Sequence, residues 1–432
     1  MCDKVGAAPV ALSGESMVLE QSGVPLAGLS CVPGCDVVTV AESITPPPSP
    51  TATIEPAAIA APTPEPTIPA PASATAVPFL PRPEDFTDYA ATILAYLNES
   101  TGDVDGLREM LNDWEALRDV THLLRVDVDD DGKGELLLII VDPSEEHMVN
   151  HSGDLLVIDA RAQKYELAYQ ATRDGFLTDP GLLEVADVNG DGHTELAFTS
   201  TSCGAHTCYT AVYVVASGMG TYKDLTDGGI EMSYAEPDFT DWDNDGVMEL
   251  VMRGGTIGSI GAGPQRARTE VFVWDGTKYA LSETVYDPSN YLYFKVLDGN
   301  EALLDGELER TATLCEEAIQ NASLQIWIEE NEREELTSFS RYRLSLTYLI
   351  LGDSEATQKV RDELLTQIPD SIYAQVLTVL WDAYARDGNL RSACEEVAAF
   401  AAAHPETADV LSDYGYGNPT FTSEEVCPLT LF

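Results

Sequence analysis

The chain reads as a multidomain α+β protein: a Pro-rich N-terminal stalk, a β-repeat domain of about three units, and an α-helical repeat domain. Three observations carry this reading. A Pro/Ala/Thr tract occupies residues 44–83. One acidic loop occurs three times between residues 127 and 249, each copy running into a short apolar segment. From about residue 299 the apolar spacing becomes helical.

The N-terminal segment, 1–43, reads as poorly ordered. Its mildly apolar stretch contains Glu15 and Glu20, which does not suit a signal peptide. Gly28-Leu-Ser-Cys31 is a poor imitation of a lipoprotein cleavage box, and Cys2 directly after Met1 leaves lipid or wall anchoring open. The tract 44–83 has almost no large apolar residues and favours extended polyproline II, so it is expected to be a disordered stalk or spacer. Residues 84–119 are expected to be a helical lead-in. Phe86, Tyr89, Ile93, Tyr96 and Leu97 keep helical spacing, and Asp103 or Asp105 can cap a second helix bearing Leu107, Met110, Leu111, Trp114 and Leu117.

The region 120–298 is expected to be the β-repeat domain. Its loops read Asp127-Val-Asp129-Asp-Asp131-Gly132-Lys133-Gly-Glu135, Asp187-Val-Asn189-Gly-Asp191-Gly192-His193-Thr-Glu195 and Asp241-Trp-Asp243-Asn-Asp245-Gly246-Val247-Met-Glu249. Side-chain oxygens recur at positions 1, 3, 5 and 9, with Gly always at position 6. Ca²⁺ takes roughly 6–8 oxygen ligands, including a backbone carbonyl near position 7. Side chains at odd positions of a tight loop can converge, and Gly permits the sharp turn. A single copy could equally be an Asp-Gly turn with a solvated acidic rim. Three copies at one spacing point to about three Ca²⁺ ions, each held by the four side chains and by the carbonyl of Lys133, His193 or Val247. These are not EF-hands, because Leu138, Phe198 and Met252 stand at position 12, where a bidentate Glu is required.

The loops start at 127, 187 and 241, giving spacings of 60 and then 54 residues. After each comes an apolar strand and then a hairpin whose second strand opens on Tyr165, Tyr222 or Tyr279. A period near 50–60 with several strands suggests propeller blades. The loop Asp-x-Asp-x-Asp-Gly-x-x-Glu-Leu followed by such a hairpin resembles the FG-GAP/VCBS repeats of integrin α-chain β-propellers and bacterial surface proteins. The resemblance covers roughly 120–290 and implies calcium-bearing blades. The Phe-Gly and Gly-Ala-Pro signatures are barely present, and three units would not close a normal ring. A hidden degenerate blade, an open stack, or helices capping the exposed edges would each resolve this.

In 299–432, Asp305-Gly306, Gly352-Asp353 and Gly388-Asn389 punctuate helical patterns that end near Pro369 and Pro405. Gly352 to Gly388 is 36 residues, close to the tetratricopeptide period of about 34, although Gly306 to Gly352 is 46. The segment resembles two to three tetratricopeptide-like hairpins; an ordinary helical cap on the β domain fits as well.

The chain carries 73 acidic and 23 basic residues, for a formal charge of −50. Such a surface repels nucleic acid and anionic lipid. No segment reaches the ~18 apolar residues of a membrane helix. The eight cysteines lack zinc spacing. Cys203/Cys208 are expected to form a disulfide, with Cys394–Cys427 a second candidate, in an oxidising, extracytoplasmic setting. His122, His147, His151, His193, His206 and His404 are scattered, and no nucleophile-elbow, zincin or Walker motif appears. The run Gly254–Gly263 reads as a mobile loop, and Arg266 and Arg268 as partners of local acids or of a carboxylate or sugar-acid ligand. The expectation is therefore a secreted or cell-surface calcium-binding adhesion protein with a protein or glycan ligand. A polysaccharide-active hydrolase or lyase on the same scaffold is the alternative.

Overall fold

The computed structural model describes residues 77–431, apart from 146–148, 162–163, 173–175, 219–220 and 329–330. The segment 1–43 and nearly all of the Pro-rich tract lie outside the described residues. Within them the fold is mixed α+β, with three antiparallel sheets, none closed into a barrel.

Helices α1 (Tyr89–Glu99) and α2 (Val104–Asp113) come first. Asp103 rather than Asp105 caps α2, accepting from Gly106 N at 3.0 Å. The first sheet runs in the order β1 (Leu123–Val126), β2 (Glu135–Val141), β3 (Ser152–Arg161), β4 (Lys164–Gln170), with β5 (Leu177–Thr178) pairing the start of β3. The second holds β6 (Gly181–Ala186), β7 (Glu195–Cys203) and β8 (Cys208–Gly218), with β9 (Thr221–Asp224) and β10 (Ile230–Ser233) both paired to β8. The third is β11 (Glu236–Thr240), β12 (Glu249–Gly254), β13 (Arg268–Trp274) and β14 (Tyr279–Tyr286). Each acidic loop joins the first two strands of its sheet. The strand before the loop was not anticipated from the sequence: β1, β6 and β11 are half-buried edge strands of only four to six residues, too short to show a period of their own.

Side chains alternate across a strand, so each sheet offers two faces. Leu136, Leu138, Ile140, Leu156 and Ile158 meet α1 and α2. Their neighbours Leu137, Ile139, Leu155 and Val157 pack on Leu196, Phe198 and Val215 of the second sheet. The opposite face of that sheet sets Ala197, Val212 and Val214 against Leu250, Met252 and Phe272 of the third. The layers are thus helices, sheet one, sheet two, sheet three. Both faces of β2 are covered, which is why all seven of its residues are buried and its sequence shows no polar alternation.

Helical structure resumes at Leu292, inside the segment read as strand-like up to 298. The run Leu292-Tyr-Phe-Lys-Val-Leu is too short and apolar for its period to separate strand from helix. Three helical hairpins follow: α3 (Leu292–Leu304) with α4 (Leu308–Gln320), α5 (Glu332–Ile350) with α6 (Ser354–Gln367), and α7 (Ile372–Asp387) with α8 (Leu390–Ala403). A short α9 (Glu406–Ser412) comes last. Each hairpin turns on a left-handed glycine: Gly306, Gly352 or Gly388, with φ of 76°, 78° and 71°. Asp353, Ser371 and Asn389 cap α6, α7 and α8.

Both expected disulfides are present: Cys203–Cys208 across the β7–β8 hairpin, and Cys394–Cys427 between α8 and the C-terminal segment. Cys315 is a buried free thiol. The glycine-rich run after β12 is pinned rather than loose. Tyr416 N and Gly417 N donate to the carbonyls of Gly261 and Ala262, and Asn418 Nδ2 donates to Ala262 O and Pro264 O. A Cβ at Gly263 would fall 1.6 Å from the Tyr414 carbonyl, so the glycines serve close backbone approach.

Arg343 is fully buried in α5 and has no carboxylate partner. It donates to Val426 O at 2.8 Å and Glu425 O at 2.7 Å, among the rings of Phe339, Tyr342 and Phe421. Removing it takes the donor from Glu425 O, leaves Val426 O with the Tyr342 hydroxyl at 2.8 Å alone, and opens a cavity. Arg343→Ala should cost on the order of 3–5 kcal/mol in urea unfolding, and Arg343→Met, which keeps the volume, clearly less. Equal losses in the two variants would show that the carbonyl bonds, not packing, are what Arg343 supplies.

Candidate metal sites and an aromatic groove

The three loops share one backbone path. Position 4 is left-handed in each: Asp130 (φ 57°), Gly190 (72°) and Asn244 (65°). So is the glycine at position 6: Gly132 (85°), Gly192 (87°) and Gly246 (94°). Sequence reasoning caught position 6 and missed position 4. The signal was there, since Asp, Gly and Asn are the residues that best tolerate this conformation.

Hydrogen bonding repeats as well. The glutamate at position 9 accepts from the amide at position 2: Val128 N to Glu135 at 2.8 Å, Val188 N to Glu195 at 3.1 Å, Trp242 N to Glu249 at 2.7 Å. Position 3 accepts from position 5 at 3.2, 2.9 and 3.1 Å. Position 5 accepts from the amides of Lys133, His193 and Val247 at 2.8, 2.9 and 2.8 Å. Asp127 and Asp187 accept from the position-6 glycines, both at 2.9 Å.

These contacts gather the predicted side chains. Asp127, Asp129, Asp131 and Glu135 bring ligand oxygens within 4.8 Å of one another, as do Asp241, Asp243 and Glu249. Both groups could hold a metal ion. In the second loop Asn189 replaces an aspartate, and Asp187, Asp191 and Glu195 are not drawn together to the same degree among the described residues. Asp245 likewise stays outside the third cluster. The glutamates are almost wholly buried, at 2%, 1% and 3% exposure for Glu135, Glu195 and Glu249. Burial raises the Glu135 carboxyl above its ordinary range and the Glu195 carboxyl to about 7. Glu195 Oε1 and Asp241 Oδ1 are buried with no hydrogen-bond donor. Buried carboxylate oxygens without donors are costly alone and suit a hard cation, so the donor set fits Ca²⁺.

Aromatic residues of the next unit abut the loops. Burial first, then the charges of Glu135 and Asp129, push the Tyr222 hydroxyl well above its ordinary value. Tyr279 is raised in the same way beside Glu195 and Glu249. Both are the hairpin tyrosines noted in the sequence.

Between the first and second sheets lies a groove of about 490 Å³, lined by Tyr169, Phe176, Phe198, Tyr213, Tyr222 and Asp224, among others. Phe198 stacks on Tyr213 at 5.2 Å, and Tyr169 leans on Tyr222 at 4.7 Å. A smaller cavity of about 220 Å³ touches Arg266 and Arg268, whose charges are met by Asp298 and Glu270. His151 pairs with Asp179, His193 with Asp130 and His404 with Glu406, so no histidine cluster forms among the described residues. No helix of the described residues is long and apolar enough to cross a membrane.

Behind the groove, Asp154 accepts from Gln170 Nε2 at 2.6 Å and Leu155 N at 2.9 Å, yet burial holds its carboxyl at about 6. The folded-state value lies above the ordinary 3.8, so the folded chain favours the proton. This contribution to stability is full below pH 3.8 and is lost as pH rises through 6. Asp154→Asn should therefore gain about 3 kcal/mol over the natural chain at pH 8 and nothing at pH 3.5. A pH-independent difference in denaturant midpoints would refute the assignment.

No known protein family matches this chain, and neither does any curated protein or solved structure.

Proposed function

We propose that the chain is a secreted or surface-anchored Ca²⁺-binding interaction protein. Its three sheets would be blades of FG-GAP/VCBS type, and its helical hairpins a tetratricopeptide-like tail. The observation that carries this reading is the threefold recurrence of one loop, with the same left-handed positions and a buried glutamate opening the inner strand. Two of the copies gather three or four carboxylates. The ligands would be Asp127, Asp129, Asp131 and Glu135 with the Lys133 carbonyl, and their equivalents in the other loops. The disulfides agree with an oxidising compartment. The role is binding, not catalysis: the carboxylates best defined in space are those of the loops.

The aromatic groove is the proposed contact for a protein or glycan ligand. It offers flat rings interleaved with polar groups, among them Gln170, Thr172 and Asp224, a combination typical of small-ligand and recognition sites. Tyr222 sits between the groove and the carboxylates of loop one, so an ion there would steady one wall of the groove.

Calorimetry on the chelated protein should find about three Ca²⁺ sites, and Ca²⁺ should raise the melting temperature by mass action. On glycan and peptide arrays, binding should fall when Ca²⁺ is chelated and should be lost in Tyr213→Ala. Absence of Ca²⁺ binding would end the ion reading. Array binding that ignores both chelation and Tyr213→Ala would place the ligand surface elsewhere. Release of sugar on incubation would favour the enzymatic alternative.

A further inference from the structure

The three loops are not independent. Asp130 stands at position 4 of loop one, between ligand positions 129 and 131, and its carboxylate reaches into loop two. Thr194 N donates to Asp130 Oδ2 at 3.0 Å, Thr194 Oγ1 donates to Oδ1 at 2.8 Å, and the His193 ring lies 3.4 Å from Oδ2. A peptide unit is planar and trans, so its N–H and C=O point in opposite directions. Fixing the Thr194 N–H therefore fixes the direction of the His193 carbonyl, the proposed position-7 ligand of loop two. The next pair repeats this with backbone alone. Met248 N donates to Val188 O at 2.9 Å, which fixes the peptide bearing the Val247 carbonyl, the position-7 ligand of loop three. Val188 N is in turn held by Glu195, a proposed ligand of loop two.

We infer that the ion sites form a directional relay, in which each loop orients the carbonyl ligand of the one that follows. The inference rests on the calcium reading above. With loop one filled, the ion offsets two of the negative charges gathered there, draws Asp127, Asp129 and Asp131 together and holds the backbone on either side of Asp130. With loop one empty, those carboxylates repel, the segment loosens, and the His193 carbonyl loses its support. Loop two then feeds loop three through Val188. Asp130 is a positioning residue: its carboxylate is used on Thr194 and His193 while its neighbours serve the ion.

The test is calorimetric Ca²⁺ titration of the full chain and its variants. Asp130→Gly suits it best, because glycine adopts the left-handed conformation freely and Gly190 already stands at the same place in loop two. Asp130→Gly should still bind three ions, with one site weakened about tenfold, and Asp130→Asn, which keeps one acceptor oxygen, should fall between. Disabling loop one by Asp127→Ala/Asp129→Ala should weaken the same site, and Asp130→Gly should then add nothing further, the mark of coupling through one residue. In a chain whose loop two is disabled by Asp187→Ala/Asp191→Ala, Asp130→Gly should leave the affinity of loop one unchanged. Unaltered affinities in Asp130→Gly, or a loss that persists after loop two is disabled, would overturn the relay while leaving the ion reading intact. Failure of the natural chain to bind Ca²⁺ would overturn both.

Discussion

A buried glutamate at the start of each inner strand is the constraint on which the β region turns. Glu135, Glu195 and Glu249 open β2, β7 and β12 and run straight into buried apolar residues, yet each is a carboxylate with at most 3% of its surface exposed. Burying a charge there is unfavourable unless the local backbone and an ion meet it. Each is met in part by the position-2 amide, which ties the end of the preceding strand to the start of the next. The loop is therefore a structural joint between two strands as much as a ligand set, and strand register follows from it.

Stacking then propagates from sheet to sheet. The first two sheets each have two apolar faces, so neither could stand alone in water, and each neighbour's face is a condition for its own. At one end the helical lead-in covers the first sheet. Tyr165, which corresponds in that sheet to Tyr222 and Tyr279, meets α1 in place of a preceding sheet: its amide and carbonyl bond the Asn98 side chain, and its ring lies close to Gly102. Helices thus substitute for a sheet where the stack begins. An open stack of amphipathic sheets requires some such cover.

Much of this was legible in the sequence because it is local. The spacing within each loop, the apolar runs, the Cys203/Cys208 pair and the turn glycines each depend on residues a few positions apart. What escaped was non-local or compositionally quiet. Strands β1, β6 and β11 form because a partner strand pairs with them, and sequences such as Glu236-Pro-Asp-Phe-Thr240 do not announce a strand. The glycine-rich run looks mobile until residues 414–418, far along the chain, are brought against it. The contact of Asp130 with Thr194 spans two loops, and a residue between two of the gathered carboxylates gives no sign that it faces away from its own loop. In the second loop Asn189 fills the motif by type, yet the carboxylates around it are gathered less closely than the motif implies.

The charge of the chain sets the scale of what ions could do. Three divalent ions would offset six of an excess of fifty negative charges, so their role must be local. They would act where carboxylates converge and leave the acidic surface as it is. The scarce cations are committed elsewhere: Arg266 to Asp298 beneath the ring of Tyr286, Arg268 to Glu270, and Arg343 to two C-terminal carbonyls. With 73 acidic residues against 23 basic ones, the molecule presents little net positive surface to a partner. Attraction at long range therefore favours a cationic ligand. At the groove, were it the contact proposed above, rings outnumber charges, and shape and apolar contact would decide what stays bound.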